Sequence, residues 1–135
     1  EAEIGCMGKR ETGAGSAGAG ADPDKIYTDP DLAKEFVEAT GIDALACSFG
    51  TTHGVYITKP KLDFDVVRNV RKKINIPVVM HGGSGVSPEE FRTAIESGVR
   101  KVNYYTYMAI AGGEEIASQF HMGCIPVEKN GKKYK

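Results

Sequence analysis

The sequence has no tryptophan, only 8% aromatic residues and no excess of either charge, with 17 basic and 18 acidic side chains. This balance argues against a nucleic-acid or membrane-surface partner, because both bind proteins that have an excess of basic residues. No apolar run approaches the roughly 20 residues of a membrane helix, and the first ten residues lack the apolar core of a secretory signal. The three cysteines, at 6, 47 and 124, are odd in number and widely spaced. They predict free thiols in a reducing, cytoplasmic compartment rather than a disulfide framework.

What the chain does contain suits one soluble globular unit, with 135 residues of which 41% are hydrophobic. Residues 5–27 differ from the rest, since they are rich in glycine and alanine and have almost no large apolar side chain. Composition leaves two interpretations open. The segment is either a disordered linker or a long mobile loop over an active site.

Strand-like and helix-like segments alternate along the rest of the chain. We predict strands within 1–4, 42–50, 76–80 and 99–105, and helices within 28–41, 62–75, 87–98 and 106–120. Gly112 and Gly113 are expected to interrupt the last helix, and residues 121–135 are expected to be an irregular tail. Alternation with short connections predicts an α/β fold with a parallel sheet of four strands. Such a sheet is either a small open sheet or half of an eight-stranded barrel.

Capping residues mark two of the helix starts. Asp29 precedes Pro30 in one, which is the usual order of an N-cap and a first helical residue. Ser87 and Glu90 have the spacing of a capping box in another.

Two histidines follow predicted strands, at the carboxyl ends where ligands gather in parallel α/β proteins. His53 lies in "SFGTTHGVY" and His81 opens "HGGSG". A single histidine is more commonly structural. Two histidines at equivalent strand ends, each followed by glycine, favour a site for a divalent metal such as zinc.

The turn "GGSG" after His81 offers backbone N–H groups and a serine hydroxyl just before a helix start. These are the groups that bind a phosphate. Glycine-rich turns are common, so this signal is weak without the histidines.

The segments "EAEIG", "YTDPDLAKEFVEATGIDALACSFGTTHGVY", "KLDFDVVRNV", "IPVVMHGGSG" and "GVRKVNYYT" strongly resemble the class II, metal-dependent fructose-bisphosphate aldolases and the related tagatose-bisphosphate aldolases. The resemblance extends from residue 1 to about 112. It implies a (β/α)8 TIM barrel, of which residues 1–120 would form about the last four β/α units. It also implies a cytoplasmic homo-oligomer, a dimer or tetramer, that acts in glycolysis and gluconeogenesis. Such enzymes cleave fructose 1,6-bisphosphate to dihydroxyacetone phosphate and glyceraldehyde 3-phosphate.

The resemblance also implies a metal site. His53 and His81 match two of the three histidines that hold the catalytic Zn²⁺, and Glu3 matches a glutamate near the metal. Glu11, in the 5–27 segment taken as a mobile active-site loop, matches a catalytic acid of the family. Its neighbours here read "GKRETG", where the family more often has two glycines and consecutive acids.

Substrate and phosphate binding are implied for a second set of positions. The glycine–serine cradle also holds a monovalent cation, K⁺ or Na⁺, in the family, and the asparagine contacts substrate hydroxyls. Tyr105 replaces an acidic or amide residue, which affects the choice of sugar or phosphate. The implied set is Gly54, Gly82, Gly83, Ser84, Asn103, Tyr104, Tyr105 and Thr106.

The family motif "DHG", which supplies an aspartate acid/base and the first zinc histidine, does not occur in the sequence. We therefore interpret the chain as the C-terminal half of an aldolase and expect it to be inactive alone. Three alternatives stay open: a tagatose-bisphosphate aldolase, a non-catalytic aldolase-like subunit, and a small phosphate-binding α/β domain without metal. The last leaves His53 unexplained, and helper subunits tend to lose the histidines that this chain keeps.

Overall fold

A computed structural model describes residues 1–5, 27–54 and 60–120, and the strand backbones at 127–129 and 132–134. Four strand–helix units come first and a pair of short strands comes last. The elements are β1 (Ala2–Ile4), α1 (Pro30–Thr40), β2 (Leu45–Cys47), α2 (Phe64–Lys73), β3 (Val78–Met80), α3 (Pro88–Ser97), β4 (Val99–Val102), α4 (Thr106–Gln119), β5 (Val127–Lys129) and β6 (Lys132–Tyr134). Most of the predicted 5–27 loop, with Glu11, lies outside the described residues.

The first four strands form one parallel sheet in the order β1-β2-β3-β4. Each strand is followed by a helix, so the predicted parallel α/β architecture of four units is confirmed. Parallel pairing brings the carboxyl ends of all four strands to the same edge of the sheet. That edge holds the residues that follow Ile4, Cys47, Met80 and Val102.

The core lies between the sheet and its helices. Leu45, Phe49, Val78 and Met80 are fully buried there, together with apolar residues of α1, α2 and α3. By contrast, α4 has no buried residue. Within the described part of the chain, no helix has the length and apolar character needed to cross a membrane.

Local capping explains where the helices begin. The Asp29 carboxylate accepts hydrogen bonds from the N–H groups of residues 31 and 32, at 2.8 and 3.0 Å. At α3, Ser87 Oγ accepts from Glu90 N, and Glu90 Oε2 accepts from Ser87 N. Both predicted caps are confirmed, because they depend only on residues close in sequence.

A register shift in β4 changes which side chains face the core. Val78 pairs with Val99, but the next residue, Val79, pairs with Lys101, so Arg100 is an extra residue on β4. A bulge of this kind shifts the alternation of side chains along the strand. Val99 and the residue at 102 therefore both contact the core, whereas Lys101 bonds a carboxylate at the functional edge described below.

Two predictions for the C-terminal residues are wrong. Helix α4 continues through Gly112 and Gly113, because two glycines lower helix propensity by about 1 kcal/mol each without breaking the helix. The tail at 121–135 was expected to be irregular, but β5 and β6 pair antiparallel there. The overlooked signal is the Asn-Gly dipeptide between them, a common two-residue hairpin sequence.

Candidate functional site

A cavity of about 370 Å³ opens at the carboxyl edge of the sheet. Ten residues line it, and all ten come from the set that the sequence singled out. They are Glu3, His53, Gly54, His81, Gly82, Gly83, Ser84, Asn103, Tyr105 and Thr106. Residues 100 positions apart meet because parallel strands end at one edge.

Two of the predicted residues are not in this set. Tyr104 points elsewhere, with its ring centroid 6.4 Å from that of Phe91 and the residue 43% exposed. Glu11 lies outside the described residues, so its catalytic role stays a prediction. The structure thus places ten residues together, and what each of them binds stays a prediction as well.

The two histidines are neighbours at the cavity wall. The ring centroids of His53 and His81 are 5.9 Å apart, with 30° between the ring planes. His81 lies between two carboxylates: Nδ1 is 3.0 Å from Glu3 Oε2, and Nε2 is 3.0 Å from Glu1 Oε1. An imidazole pair with adjacent carboxylates is a donor set suited to Zn²⁺.

Glu1 is a site residue that sequence reasoning missed. Besides His81, it accepts a hydrogen bond from Asn103 Nδ2 at 3.1 Å and pairs with the Lys101 ammonium. The Lys101 ammonium and the His81 ring lower the pKa of the Glu1 carboxyl from 4.5 to about 2. The alternation of Glu1 and Glu3 on one strand could have indicated that both face the same side.

The turn after β3 is tightly packed against the segment before His53. Gly82 has φ +67, and a Cβ built there would lie 2.3 Å from the Thr52 carbonyl oxygen. Gly83 N donates to Asn103 O at 3.2 Å, and Asn103 N donates to Met80 O at 2.8 Å. These contacts fix three strand ends relative to one another, so only glycine fits at position 82.

The two helices that begin near the cavity, α3 and α4, are capped in different ways. The capping box of Ser87 and Glu90 satisfies N–H groups at the start of α3. At the start of α4, Tyr105 makes no side-chain cap, and Ser84 Oγ accepts from Tyr107 N at 3.3 Å. N–H groups at a helix start attract anions. The predicted phosphate residues Ser84 and Thr106 thus lie together at the start of α4, and phosphate binding there stays a prediction.

A threonine joins the ends of β1 and β2 on the other side of the site. Thr28 Oγ1 donates to Ile4 O at 2.7 Å and accepts from Ser48 N at 2.7 Å. Thr28 N also donates to Ser48 O at 2.8 Å. Gly5 follows β1 with φ +115, and a Cβ there would be 2.7 Å from Thr28 Oγ1. The position of Glu3 is thereby fixed relative to the His53 segment.

The described residues fit a zinc ion only in part. His53 and His81 supply suitable nitrogen donors, and Glu3 supplies an oxygen beside His81. Within residues 1–5, 27–54 and 60–120, no group of three or more His, Cys, Asp or Glu side chains could hold a metal ion. A zinc site here would need at least one further ligand from outside these residues, because zinc sites have at least three protein ligands.

Fold and site together define a parallel α/β protein with paired histidines and a glycine–serine turn at the carboxyl edge of its sheet. The family model described as fructose-bisphosphate aldolase class-II matches residues 1–135. The chain belongs to the class II fructose-bisphosphate aldolase family.

Similar proteins support this assignment. YdjI from Escherichia coli K12 is 47% identical over 133 residues, which cover 98% of this chain and 46% of YdjI. The crystal structure of that YdjI aldolase matches with a TM-score of 0.66 at 43% identity, over 73% of this chain and 37% of the other. The fructose-bisphosphate aldolase of Campylobacter jejuni matches with a TM-score of 0.58 at 28% identity, over 88% and 35%. The chain thus spans less than half the length of these relatives, and its four β/α units correspond to part of an aldolase TIM barrel.

Proposed function

We propose that this chain supplies one half of the active site of a metal-dependent aldolase, which cleaves and forms a carbon–carbon bond in a phosphorylated ketose. The observation that carries the proposal is that both histidines and the glycine–serine turn at residues 82–84 line the same cavity. A metal held by the histidines and a phosphate held by the turn would then lie within one 370 Å³ cavity, which suits a small phosphorylated sugar.

His53 and His81 would hold a Zn²⁺ ion, with Glu3 beside it. When bound, zinc acts as a Lewis acid that polarises a ketose carbonyl and stabilises the enediolate left by bond cleavage. The N-terminus of α4, Ser84 and Thr106 would bind the phosphate, and Asn103 would orient a substrate hydroxyl. The carbonyl groups of the glycine turn would offer oxygen ligands to a K⁺ or Na⁺ ion.

The specific substrate we propose is fructose 1,6-bisphosphate, split into dihydroxyacetone phosphate and glyceraldehyde 3-phosphate. Tagatose 1,6-bisphosphate is the alternative ketose. Tyr105 lines the cavity with 71% of its surface exposed, so its ring is available to contact the substrate. Comparing the rates of the two isomers with Tyr105→Asp would show whether this ring influences the choice between them.

Catalysis requires groups beyond the described residues. The proposed site needs a further zinc ligand and an acid/base aspartate, which we expect on the part of the aldolase length that this chain does not span. We therefore propose that the 135 residues work within a longer, homo-oligomeric cytoplasmic protein. The fully buried thiol of Cys47 supports a fold that does not depend on disulfides.

The test measures dihydroxyacetone phosphate released from fructose 1,6-bisphosphate, with and without a chelator, for the 135-residue chain and for the full-length product of its gene. We expect chelator-sensitive turnover from the full-length protein and none from the chain alone. His81→Ala should remove zinc from the full-length protein, whereas Lys34→Met, at an exposed pair on α1, should leave both zinc content and turnover unchanged.

Two results would contradict the proposal. Full zinc content in His81→Ala would show that this histidine is not a ligand. A full-length protein that binds zinc but cleaves no ketose phosphate would point to the non-catalytic aldolase-like subunit instead.

A further inference from the structure

The Glu1 carboxylate makes three polar contacts beside the cavity. One oxygen lies 3.0 Å from His81 Nε2 and 3.1 Å from Asn103 Nδ2, and the other pairs with the Lys101 ammonium. Three partners, one on β4 and the others directly after β3 and β4, therefore hold this one side chain. Its own side chain is 25% exposed, and that of His81 is 16% exposed.

The Glu3 carboxylate is held much less firmly. Within the described residues, Glu3 Oε2 contacts His81 Nδ1 at 3.0 Å. No ammonium or amide group comparable to Lys101 or Asn103 fixes it there. The two nitrogens of the same ring thus face one anchored carboxylate and one that can rotate away.

This asymmetry bears on which nitrogen of His81 can bind a metal. A ligating nitrogen must present its lone pair and so cannot donate a hydrogen bond at the same time. If the metal bound to Nε2, the bond between His81 and Glu1 would break. The Glu1 carboxylate would then face the metal but could not adjust its position, because Lys101 holds it. Binding through Nδ1 requires movement of Glu3 alone, and Glu3 then remains close enough to contribute an oxygen.

We propose that Glu1, anchored by Lys101 and Asn103, is a positioning residue that accepts a hydrogen bond from His81 Nε2–H and so turns Nδ1 toward the metal. The inference rests on the proposed role of His81 as a zinc ligand and deepens it. A carboxylate behind a ligating histidine fixes the orientation of the ring and raises its basicity as a donor. Lys101 acts one step further out, since it fixes the carboxylate and touches neither metal nor ring.

The experiment uses full-length protein with ¹⁵N-labelled histidine, loaded with zinc and free of substrate. Proton–nitrogen spectra report which ring nitrogen of His81 carries a proton, and His81→Gln assigns the signals. We expect a slowly exchanging proton on Nε2 and a zinc-induced change at Nδ1. Zinc affinity, measured by competition with a chromophoric chelator, should fall about ten- to a hundredfold in Glu1→Ala and Lys101→Met. Lys101→Arg should restore most of it, because a guanidinium also donates to a carboxylate.

Lys34→Met is the matched control, since it removes an ammonium from an exposed pair on α1 and should change neither signal nor affinity. Zinc bound at Nε2 of the wild-type protein would overturn the inference, as would an unchanged affinity and spectrum in Lys101→Met. If Glu1→Ala does not fold, the wild-type spectrum and Lys101→Met still decide the matter. A protein with zinc on Nδ1 but no aldol cleavage would refute the proposed function and leave this inference standing.

Discussion

Replacement of Gly82 by alanine should lower the free energy of unfolding in two ways, through backbone strain and through steric contact. Comparison with a second glycine separates the two. At position 82, φ is +67 and the new Cβ would lie 2.3 Å from the Thr52 carbonyl oxygen and 2.8 Å from its carbon. Gly41, the C-cap of α1, has almost the same φ of +66 but nothing within 4 Å of the new Cβ. Gly41→Ala therefore measures the strain alone.

The magnitudes follow from these two environments. A left-handed conformation costs an L-residue about 1–2 kcal/mol, which is the expected loss of unfolding free energy in Gly41→Ala. Overpacking against a backbone that cannot yield adds about 1–3 kcal/mol, so Gly82→Ala should lose about 2–5 kcal/mol. The shift needed to relieve the contact moves the residue directly before His53, so zinc affinity should fall as well.

Urea denaturation of the full-length variants, followed by circular dichroism, measures the difference. Gly112→Ala is a third variant, in the exposed middle of α4 with nothing within 4 Å, and should gain up to about 1 kcal/mol. Equal losses in Gly82→Ala and Gly41→Ala would refute the close approach to Thr52 and with it the packing that we infer between two strand ends.

Three further predictions concern single groups. Ser87→Ala removes the α3 cap and should lower the unfolding free energy by about 1 kcal/mol in urea denaturation, with Ser87→Asp close to wild type. Burial raises the pKa of the Cys47 thiol to about 12. In a variant with serine at the other two cysteine positions, iodoacetamide at pH 8 should therefore label Cys47 only after the protein unfolds. Rapid labelling of the folded protein would contradict this. The pKa of Glu1 is lowered to about 2, so its ionised form stabilises the metal-free protein above pH 4.5, and this contribution is lost as the pH falls toward 2. The free energy of unfolding should therefore fall less steeply between pH 4.5 and about 2 in Glu1→Gln than in the wild type. The same pH dependence in both proteins would count against the bonds of Glu1 to Lys101 and His81.

Features that depend on neighbouring residues could be predicted from the sequence. The caps at Asp29 and Ser87 involve partners two or three positions away, and the alternation of strands and helices follows from local periodicity. The meeting of His53 and His81 was also predictable, because strand ends in a parallel sheet share one edge.

Features that depend on long-range contacts were missed. The bond between Glu1 and Lys101 spans 100 residues, and nothing near either residue indicates the other. The contact between Ser84 and α4 was missed for a related reason. Ser87 Oγ accepts from Glu90 N three positions away, whereas Ser84 Oγ accepts from Tyr107 N, some twenty residues later in the chain. Family resemblance singled out the residues that line the cavity, but the partners that hold them became visible only in three dimensions.

The extra residue Arg100 allows β4 to place Val99 in the core and Lys101 beside Glu1, which regular alternation along the strand would not allow. Val99 is buried in the core and Lys101 pairs with Glu1, although residues two apart on a regular strand point the same way. If the strand kept Arg100 but lost the bulge, Lys101 would face the apolar core and Val102 would face Glu1. Deleting Arg100 has the opposite effect, because Val99, Lys101 and Val102 would then alternate regularly on the faces that they occupy now. A single-codon deletion of Arg100 should therefore preserve the pairing of Lys101 with Glu1 and remove the bonds of its guanidinium to the carbonyls of Ile95 and Val99.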